Sequence, residues 1–232
     1  EVARKSREMG IDIAVDLSGF GPGGRLGMFA HRCAPVQISY LGYPGSTGAD
    51  YMDYVIADKV ALPPAAHAQF SEKVVTLPHS HQLGGHPHAP ADRVWTREEA
   101  DLPAEGFVFC CFSPAYRILP SVFDSWLRML QAAPGSILWL LEDNPAATRH
   151  LRERAQAQGV DAARLRFAPS LPRPEHLARH RLADLMLDTL PANAASAAND
   201  ALAAGVPVLT QTGAAFAGRV TASLLTTAGL PE

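Results

Sequence analysis

The hydrophobic pattern of the chain changes near residue 80, and this change divides the chain into two parts. In the first part, short apolar runs at 11–17, 36–41, 54–57 and 74–77 predict strands separated by Gly/Pro-rich loops. From 79 to 92 the composition shifts to His, Gly and Pro without periodicity, which is typical of a linker. We therefore predict one domain at 1–90, including this linker, and a second at 91–232.

The second part alternates regularly between strand and helix patterns. Unbroken apolar runs predict strands at 107–112, 137–141, 165–168, 185–187 and 206–210, and the segments between and after them predict helices at 120–132, 145–158, 174–181, 196–204 and 217–228. Strands without polar alternation are covered on both faces, and the helices between them supply parallel crossovers. This part is predicted to be a doubly wound α/β domain, in which ligands bind at the carboxyl ends of the strands.

Composition and charge exclude several classes of protein. Of 232 residues, 47% are hydrophobic and 19% charged, which is enough for a sizeable core. The net charge of -3 argues against a nucleic-acid partner. No apolar run approaches the ~20 residues that span a bilayer, and no signal peptide is visible, so we expect no membrane partner. Three cysteines without metal or disulfide spacing indicate a reducing compartment, here the cytoplasm. Both ends look cut, which suggests a fragment of a longer protein.

Candidate chemistry lies at three strand-to-helix junctions of the second part. The first ends at Arg117, the second carries His176 and Arg179 at i, i+3 spacing, and the third leads through Ser196 to Asp200. We expect them to converge on one crevice, where a helix start with small residues accepts a phosphate and an arginine clamps it. Each residue alone also has an ordinary structural interpretation, such as a surface ion pair, an N-cap, a favourable first-turn carboxylate or a helix-start histidine.

Two further patterns have simpler explanations. His79, His81, His86 and His88 form two H-x-H pairs, but their spacing matches no standard zinc site, so a solvated loop is the preferred interpretation and metal binding the alternative. The glycine loops at 19–24 and 42–48 lack the spacing of phosphate-binding loops. From spacing alone they are tight turns that need positive φ.

The junctions and loops together resemble the catalytic region of protein O-GlcNAc transferases and their SPINDLY-like relatives. The resemblance covers nearly the whole chain and is strongest at Leu41-Gly42-Tyr43-Pro44-Gly45-Ser46-Thr47-Gly48, with further matches at 15–20, 29–37, 52–54, 134–141, 175–176, 182–184, 187–189 and 219–223. It implies an α/β fold of GT-B type with two Rossmann-like lobes. Here these would be part of the N-terminal, acceptor-side lobe and most of a doubly wound, donor-binding C-terminal lobe.

The resemblance also assigns expected roles to single residues. His176 and Arg179 fall on the uracil side, Arg173 and Asp200 on the ribose, and Ala195, Ser196 and Ala197 on the helix start that binds phosphate. Arg117 takes the place of the lysine that neutralises the leaving diphosphate, which makes it the expected catalytic residue. In the first lobe, Phe20, Gly21, Gly23 and Gly42 fall on substrate-lining loops.

Several positions depart from the family pattern. The family's His-Thr-Thr is Ala195-Ser196-Ala197 here, a glutamine is replaced by Pro114, and two lysines are replaced by Arg117 and Arg173. Losing one preorganised donor costs about 10²–10³ in rate. Two alternatives therefore stay open, namely a degenerate member that binds a nucleotide or a protein without catalysis, and an enzyme with another donor such as GDP-fucose.

The implied reaction is the metal-independent, inverting transfer of GlcNAc from UDP-GlcNAc to Ser or Thr hydroxyls of proteins, without a cofactor. The implied partners are the UDP-sugar and a protein acceptor, with N-terminal tetratricopeptide repeats in the full-length protein. The family's acceptor-side Asn-His-Pro loop is not among these residues, so the sequence names no general base.

Overall fold

A computed structural model describes residues 1–82 and 89–230, and it divides the chain into two compact units. The first unit comprises 1–83 and 212–232, and the second comprises 84–211. Within the described ranges, none of the helices combines the length and hydropathy needed to cross a bilayer.

The first unit contains a parallel four-stranded sheet in the order β1-β2-β3-β4. It begins with helix α1 (Val2–Glu8), and its strands are β1 (Ile13–Asp16), β2 (Val36–Ser39), β3 (Tyr54–Asp58) and β4 (Lys73–Leu77). A 3₁₀ helix (Leu26–His31) connects β1 to β2, and another (Pro64–Gln69) connects β3 to β4. The four predicted strands are confirmed, with β1 and β2 shorter than predicted and β3 and β4 each one residue longer.

In this sheet the face with the polar side chains is buried, and the apolar face of β1 is partly exposed. Ile13 is 54% exposed and Val15 44% exposed, whereas Asp16, Gln37 and Ser39 on the opposite face are buried. Gln37 is held there because its side chain accepts from the Cys33 N–H and donates to the carbonyls of Phe29 and Tyr51. The inner face is therefore organised by hydrogen bonds to the 3₁₀ connection as well as by apolar packing.

The second unit contains a parallel five-stranded sheet in the order β7-β6-β5-β8-β9. Its strands are β5 (Val108–Cys111), β6 (Ile137–Glu142), β7 (Leu165–Pro169), β8 (Leu185–Leu187) and β9 (Val208–Leu209). Its helices are α2 (Pro120–Ala132), α3 (Pro145–Ala157), α4 (Arg173–Arg179) and α5 (Ala195–Ala203). The strand order turns back beside β5, the first strand of this unit, as in doubly wound folds, so the prediction for this part of the chain is confirmed.

Proline and packing explain why α2 and α3 begin where the sequence predicts. Pro120 and Pro145 occupy the first helical position, where the missing N–H has no intrahelical partner to lose. Asn144 caps α3 by accepting from the Ala146 N–H at 2.9 Å. On α2, Phe123, Trp126, Leu127 and Leu130 are buried in one cluster with β5, β6 and β7. The sheet of the second unit is therefore packed tightly against α2 on one face.

The C-terminal segment differs from its predicted assignment. Residues 212–232, which the sequence analysis assigned to the second domain, group with the first unit. Helix α6 (Val220–Thr227) brings the Ser223 hydroxyl within 2.8 Å of Asp58 Oδ2, and Arg219 donates to the Val60 carbonyl at 2.9 Å. The helix pattern of 217–228 predicts an apolar face, but it does not show which part of the chain that face packs against. The sequence therefore could not show that this segment belongs with the first unit.

Candidate functional site

Asp188, directly after β8, fixes the start of α5. Its Oδ1 accepts from the backbone N–H groups of Thr189 at 2.8 Å and Ala194 at 2.7 Å, and its Oδ2 accepts from the Thr210 hydroxyl at 2.7 Å. The carboxylate thus joins the ends of β8 and β9 to the residue before α5. The N–H groups of the first turn at Ala195, Ser196 and Ala197 point away from the helix body, as in any α-helix. This is the helix start that the sequence analysis selected.

Arg117 reaches the same helix start from the neighbouring strand. It lies in a 3₁₀ turn (Ala115–Arg117) that follows β5, and its Nη1 donates to the Asn193 carbonyl at 3.0 Å. Asn193 stands two residues before α5. The structure therefore brings together a half-buried guanidinium and the α5 N-terminus, as the sequence analysis expected for a phosphate-binding pair.

Helix α4 carries three of the predicted residues on the other side of α5. Arg173 Nη2 lies 2.5 Å from Asp200 Oδ1, which ties the two helices by an ion pair whose carboxylate is buried. Arg179 donates to His176 Nδ1 at 2.8 Å and to the Pro169 carbonyl at 2.6 Å. Arg179 is only 2% exposed, so it does not line an open surface. Its contact with the site is the hydrogen bond that it donates to His176.

The environment of His176 keeps its ring neutral. Burial, together with electrostatic repulsion from His180, Arg179 and Arg173, lowers the pKa of His176 to about 3. Because a guanidinium can only donate, Nδ1 of His176 accepts and the proton resides on Nε2. Burial also lowers the pKa of Arg179 to about 10, which still leaves it charged at neutral pH.

An aromatic cluster positions these side chains. The Phe112 ring lies edge-on to His176 at 5.1 Å and to Trp139 at 4.9 Å between centroids, and the Arg179 guanidinium stands 5.1 Å from the Phe112 ring. Phe112 directly follows β5, so the loop that leads to Arg117 also contacts α4. The packing gives His176 one orientation.

The substrate-loop residues predicted in the first unit also share a local structure. Phe20 is 63% exposed and its ring packs edge-on to Tyr43 at 5.2 Å. A Cβ on Gly42 would lie 1.9 Å from the Leu17 carbonyl oxygen, so this glycine is needed for the close approach of two loops. Gly21 closes a turn through its N–H to the Ser18 carbonyl at 2.9 Å, and Gly23 has a φ of +78°. The expected positive φ is confirmed at Gly19, Gly23 and Gly48, but it is wrong for the other glycines of the two loops, Gly21, Gly24, Gly42 and Gly45.

Sequence reasoning missed three acidic residues that shape the loops. Besides Asp188, Glu72 is buried and accepts from the Thr47 N–H at 2.7 Å, the Thr47 hydroxyl and the Ser46 hydroxyl, which fixes the loop at 42–48. Asp143, directly after β6, accepts from the Ala115 N–H at 2.9 Å. In the sequence these residues are recognisable only as carboxylates next to a strand end. Many surface carboxylates lie at such positions, so this feature does not single them out.

One histidine of the predicted H-x-H pairs, His81, is part of a buried hydrogen-bond cluster. It is buried, and its Nδ1 lies 2.7 Å from Asp58 Oδ2, which also accepts from the Ser223 hydroxyl. Burial would raise the pKa of Asp58, but these hydrogen bonds outweigh it and hold the pKa well below its usual value. The expectation of a solvated loop is wrong for His81. Ser223 donates to the aspartate and is buried, so the trio is a structural cluster and not a catalytic triad.

Metal binding has no support in the part of the chain that the structure describes. Within 1–82 and 89–230, no group of three or more His, Cys, Asp or Glu side chains could hold an ion. His86 and His88, two of the four histidines in the predicted pairs, lie outside the described residues.

Two parallel sheets with helical crossovers, and polar groups gathered at the carboxyl ends of β5 and β8, define a Rossmann-like α/β protein. Residues 1–92 and 89–232 match the sequence profile of Glycosyl transferase family 41. The chain belongs to this family, and its α/β architecture is that of a partial GT-B fold.

Individual relatives agree with this assignment. A probable UDP-N-acetylglucosamine–peptide N-acetylglucosaminyltransferase of Arabidopsis thaliana, SEC, is 36% identical over 225 residues, which are 95% of this chain and 23% of that protein. A Petunia hybrida SPINDLY protein is 33% identical over 236 residues, 99% of this chain and 25% of that protein. A solved point mutant of the Thermobaculum terrenum O-GlcNAc transferase matches with a TM-score of 0.88 and 36% identity, over 99% of this chain and 43% of that one. The chain spans about a quarter of the length of these curated relatives.

Proposed function

We propose that this chain is a fragment of the catalytic region of a transferase that moves GlcNAc from UDP-GlcNAc to Ser or Thr hydroxyls of proteins with inversion of configuration. It supplies part of the acceptor-side lobe and most of the donor-binding lobe. The relatives are named as UDP-N-acetylglucosamine–peptide transferases, and the structural match is to an O-GlcNAc transferase. The observation that carries the proposal is the contact of Arg117 with the residues leading into α5. Because that contact puts a cation beside a helix N-terminus, the pair can bind a diphosphate.

Each side chain then has a defined task in the reaction. The acceptor hydroxyl attacks the anomeric carbon and gives up its proton to a general base that these residues do not supply, while the bond to the diphosphate breaks. The negative charge that develops on the leaving UDP is stabilised by Arg117 and by the N–H groups at Ala195, Ser196 and Ala197. His176, held neutral with its proton on Nε2, contacts the uracil, with Arg179 beneath it. Arg173 and Asp200 contact the ribose. In the first unit, Phe20, Gly21, Gly23 and Gly42 line the substrate loop.

A degenerate member that binds nucleotide without turnover is the second candidate. It is favoured by Pro114, which has no N–H to offer, and by Ala195 and Ala197, which carry no donor side chains. The two candidates share the same binding site. Donor hydrolysis separates them, because the second predicts UDP binding without release of GlcNAc.

The test is nucleotide-dependent thermal unfolding of the full polypeptide that carries this chain. UDP should raise the melting temperature with the logarithm of its concentration, and GDP should raise it less. Arg117→Ala should weaken UDP binding about tenfold or more, because a charge-assisted contact to phosphate is lost. The control is Arg149→Ala, which removes an exposed cation from α3. Equal UDP shifts for wild type and Arg117→Ala would contradict the proposal, and a larger shift with GDP would favour another donor.

Further parts of the proposal concern the whole protein. We propose a protein as acceptor, tetratricopeptide repeats N-terminal to this chain in the intact polypeptide, and a cytoplasmic location. The resemblance and the relatives' names support a protein acceptor, and three thiols buried without a disulfide are compatible with a reducing compartment.

A further inference from the structure

We propose that Asp143 is a positioning residue that holds the turn bearing Arg117 in its working place. This inference rests on the proposed function, since it assumes that Arg117 binds the diphosphate. It concerns a carboxylate outside the short motifs that the sequence analysis used for the resemblance.

The first step is the contact between two neighbouring strand ends. Strand β6 ends at Glu142, and the next residue, Asp143, uses Oδ2 to accept the Ala115 N–H at 2.9 Å. Ala115 opens the 3₁₀ turn that follows β5. The bond therefore ties the loop after β5 to the end of β6.

The second step is the other end of the same turn. Arg117 closes the turn by donating its N–H to the Pro114 carbonyl at 3.0 Å, and its guanidinium donates to the Asn193 carbonyl at 3.0 Å. Asn193 belongs to the loop after β8. Because β6, β5 and β8 are adjacent in the sheet, the two contacts form a connection across three neighbouring carboxyl ends, with Arg117 in the middle.

The third step is that Asp143 stands on a fixed backbone. The residue before it pairs with β7, and the residue after it, Asn144, caps α3. The turn, by contrast, has three residues and begins after Pro114, which donates no N–H, so the Ala115 N–H is the first donor that an anchor can use. An acceptor that stands on a fixed backbone restricts where the short turn can lie, and this restriction preorganises Arg117.

The fourth step distinguishes the effect of the Asp143 hydrogen bond on UDP binding from the effect of its negative charge. A carboxylate close to a diphosphate site is electrostatically unfavourable for the ligand, so any benefit of Asp143 must come from its role as an acceptor. Asparagine removes the charge but keeps an acceptor oxygen, whereas alanine removes both. The comparison of these two variants isolates the contact.

The experiment is a double-mutant cycle on UDP affinity, measured by titration calorimetry on the full polypeptide. Asp143→Ala should weaken UDP binding about threefold to tenfold relative to Asp143→Asn, which is the range expected for one hydrogen bond. In an Arg117→Ala background the difference between the two Asp143 variants should disappear, because the turn then carries no cation. A purely structural role would leave that difference unchanged.

The matched control is Asp161→Ala, which removes an aspartate that accepts from the Ala163 N–H at 2.9 Å in another 3₁₀ turn, before β7. It should leave UDP affinity within twofold of wild type. If Arg117→Ala weakens UDP binding but Asp143→Ala and Asp143→Asn bind alike, the inference is wrong while the proposed function stands. If Arg117→Ala has no effect, both are wrong.

Discussion

His176 illustrates how neighbours set the chemistry of one residue. A histidine with an ordinary pKa near 6.5 would be partly charged at neutral pH, and a cation there would repel Arg173 and Arg179. In this structure the ring is partly buried, it accepts from Arg179, and it lies edge-on to Phe112. The neutral ring and the charged guanidinium can therefore share one site, and His176 offers a donor at Nε2 at neutral pH.

The lowered pKa of His176 predicts how stability depends on pH. Because the unfolded chain binds a proton near pH 6.5 and the folded protein only near pH 3, stability should fall as the pH drops through this window. With allowance for partial exposure, we expect this histidine to account for about 1–3 kcal/mol of the loss. His176→Gln should flatten the slope in urea unfolding between pH 6.5 and 4. His150→Gln, on exposed α3, is the control, and an equally flat slope for it would contradict the assignment.

At the scale of the element, the placement of α5 depends on what precedes it. The helix has no side-chain cap at Ala194, and Asp188, six residues upstream, instead fixes the residue before the helix by accepting from the Ala194 N–H. The loop between contains a cis peptide bond at Leu190-Pro191, and the Thr189 hydroxyl donates to the Ala192 carbonyl. One buried carboxylate therefore sets both the loop and the direction of the helix start.

Removing that carboxylate should destabilise the second unit and weaken nucleotide binding together. Asp188→Ala leaves two backbone N–H groups and a hydroxyl without their acceptor, and we expect a loss of about 2–3 kcal/mol in the free energy of unfolding. Asp188→Asn keeps an oxygen for the N–H groups and should cost less than about 1 kcal/mol. Urea denaturation with UDP titration measures both effects. Equal costs for the two variants would show that the hydrogen bonds do not set the loop.

At the scale of the whole molecule, the return of the C-terminal segment defines the units. Phe216 packs edge-on to His81 at 5.0 Å, and Ser223 and Arg219 contact Asp58 and the Val60 carbonyl. These contacts gather residues 212–230 around the end of β3, more than 130 residues away along the chain. The first unit is therefore built from both ends of the sequence.

This assignment predicts which part of the protein responds to a mutation in α6. Ser223→Ala removes one donor to Asp58 and should cost about 1 kcal/mol, because the other donors remain. Hydrogen exchange should then accelerate about fivefold in β3 and β4 and stay unchanged in β5 and β6. Thr226→Ala, whose hydroxyl donates only within α6, is the control. Faster exchange in the second unit instead would place the segment there.

Much of the fold follows from local signals in the sequence. Apolar runs located the strands, Pro120 and Pro145 begin α2 and α3, and Gly205 follows the end of α5 with a positive φ. Periodicity, a missing N–H and a positive φ all act within a few residues. The same signals could not orient the first sheet. Val15 and Ile38 alternate with Asp16, Gln37 and Ser39, and the ordinary rule would bury the apolar side.

The sequence by itself determined the class of fold, the family, and the residue types at the candidate site. Tertiary structure alone decided which groups meet, namely Arg117 with the Asn193 carbonyl, Arg173 with Asp200, and Asp143 with the Ala115 N–H. The physical reason is the distance along the sequence over which each kind of interaction acts. Strand and helix preferences are properties of neighbouring residues, whereas these contacts join residues 27 to 76 positions apart in the sequence. Only the parallel sheet brings the segments that carry them to a common edge.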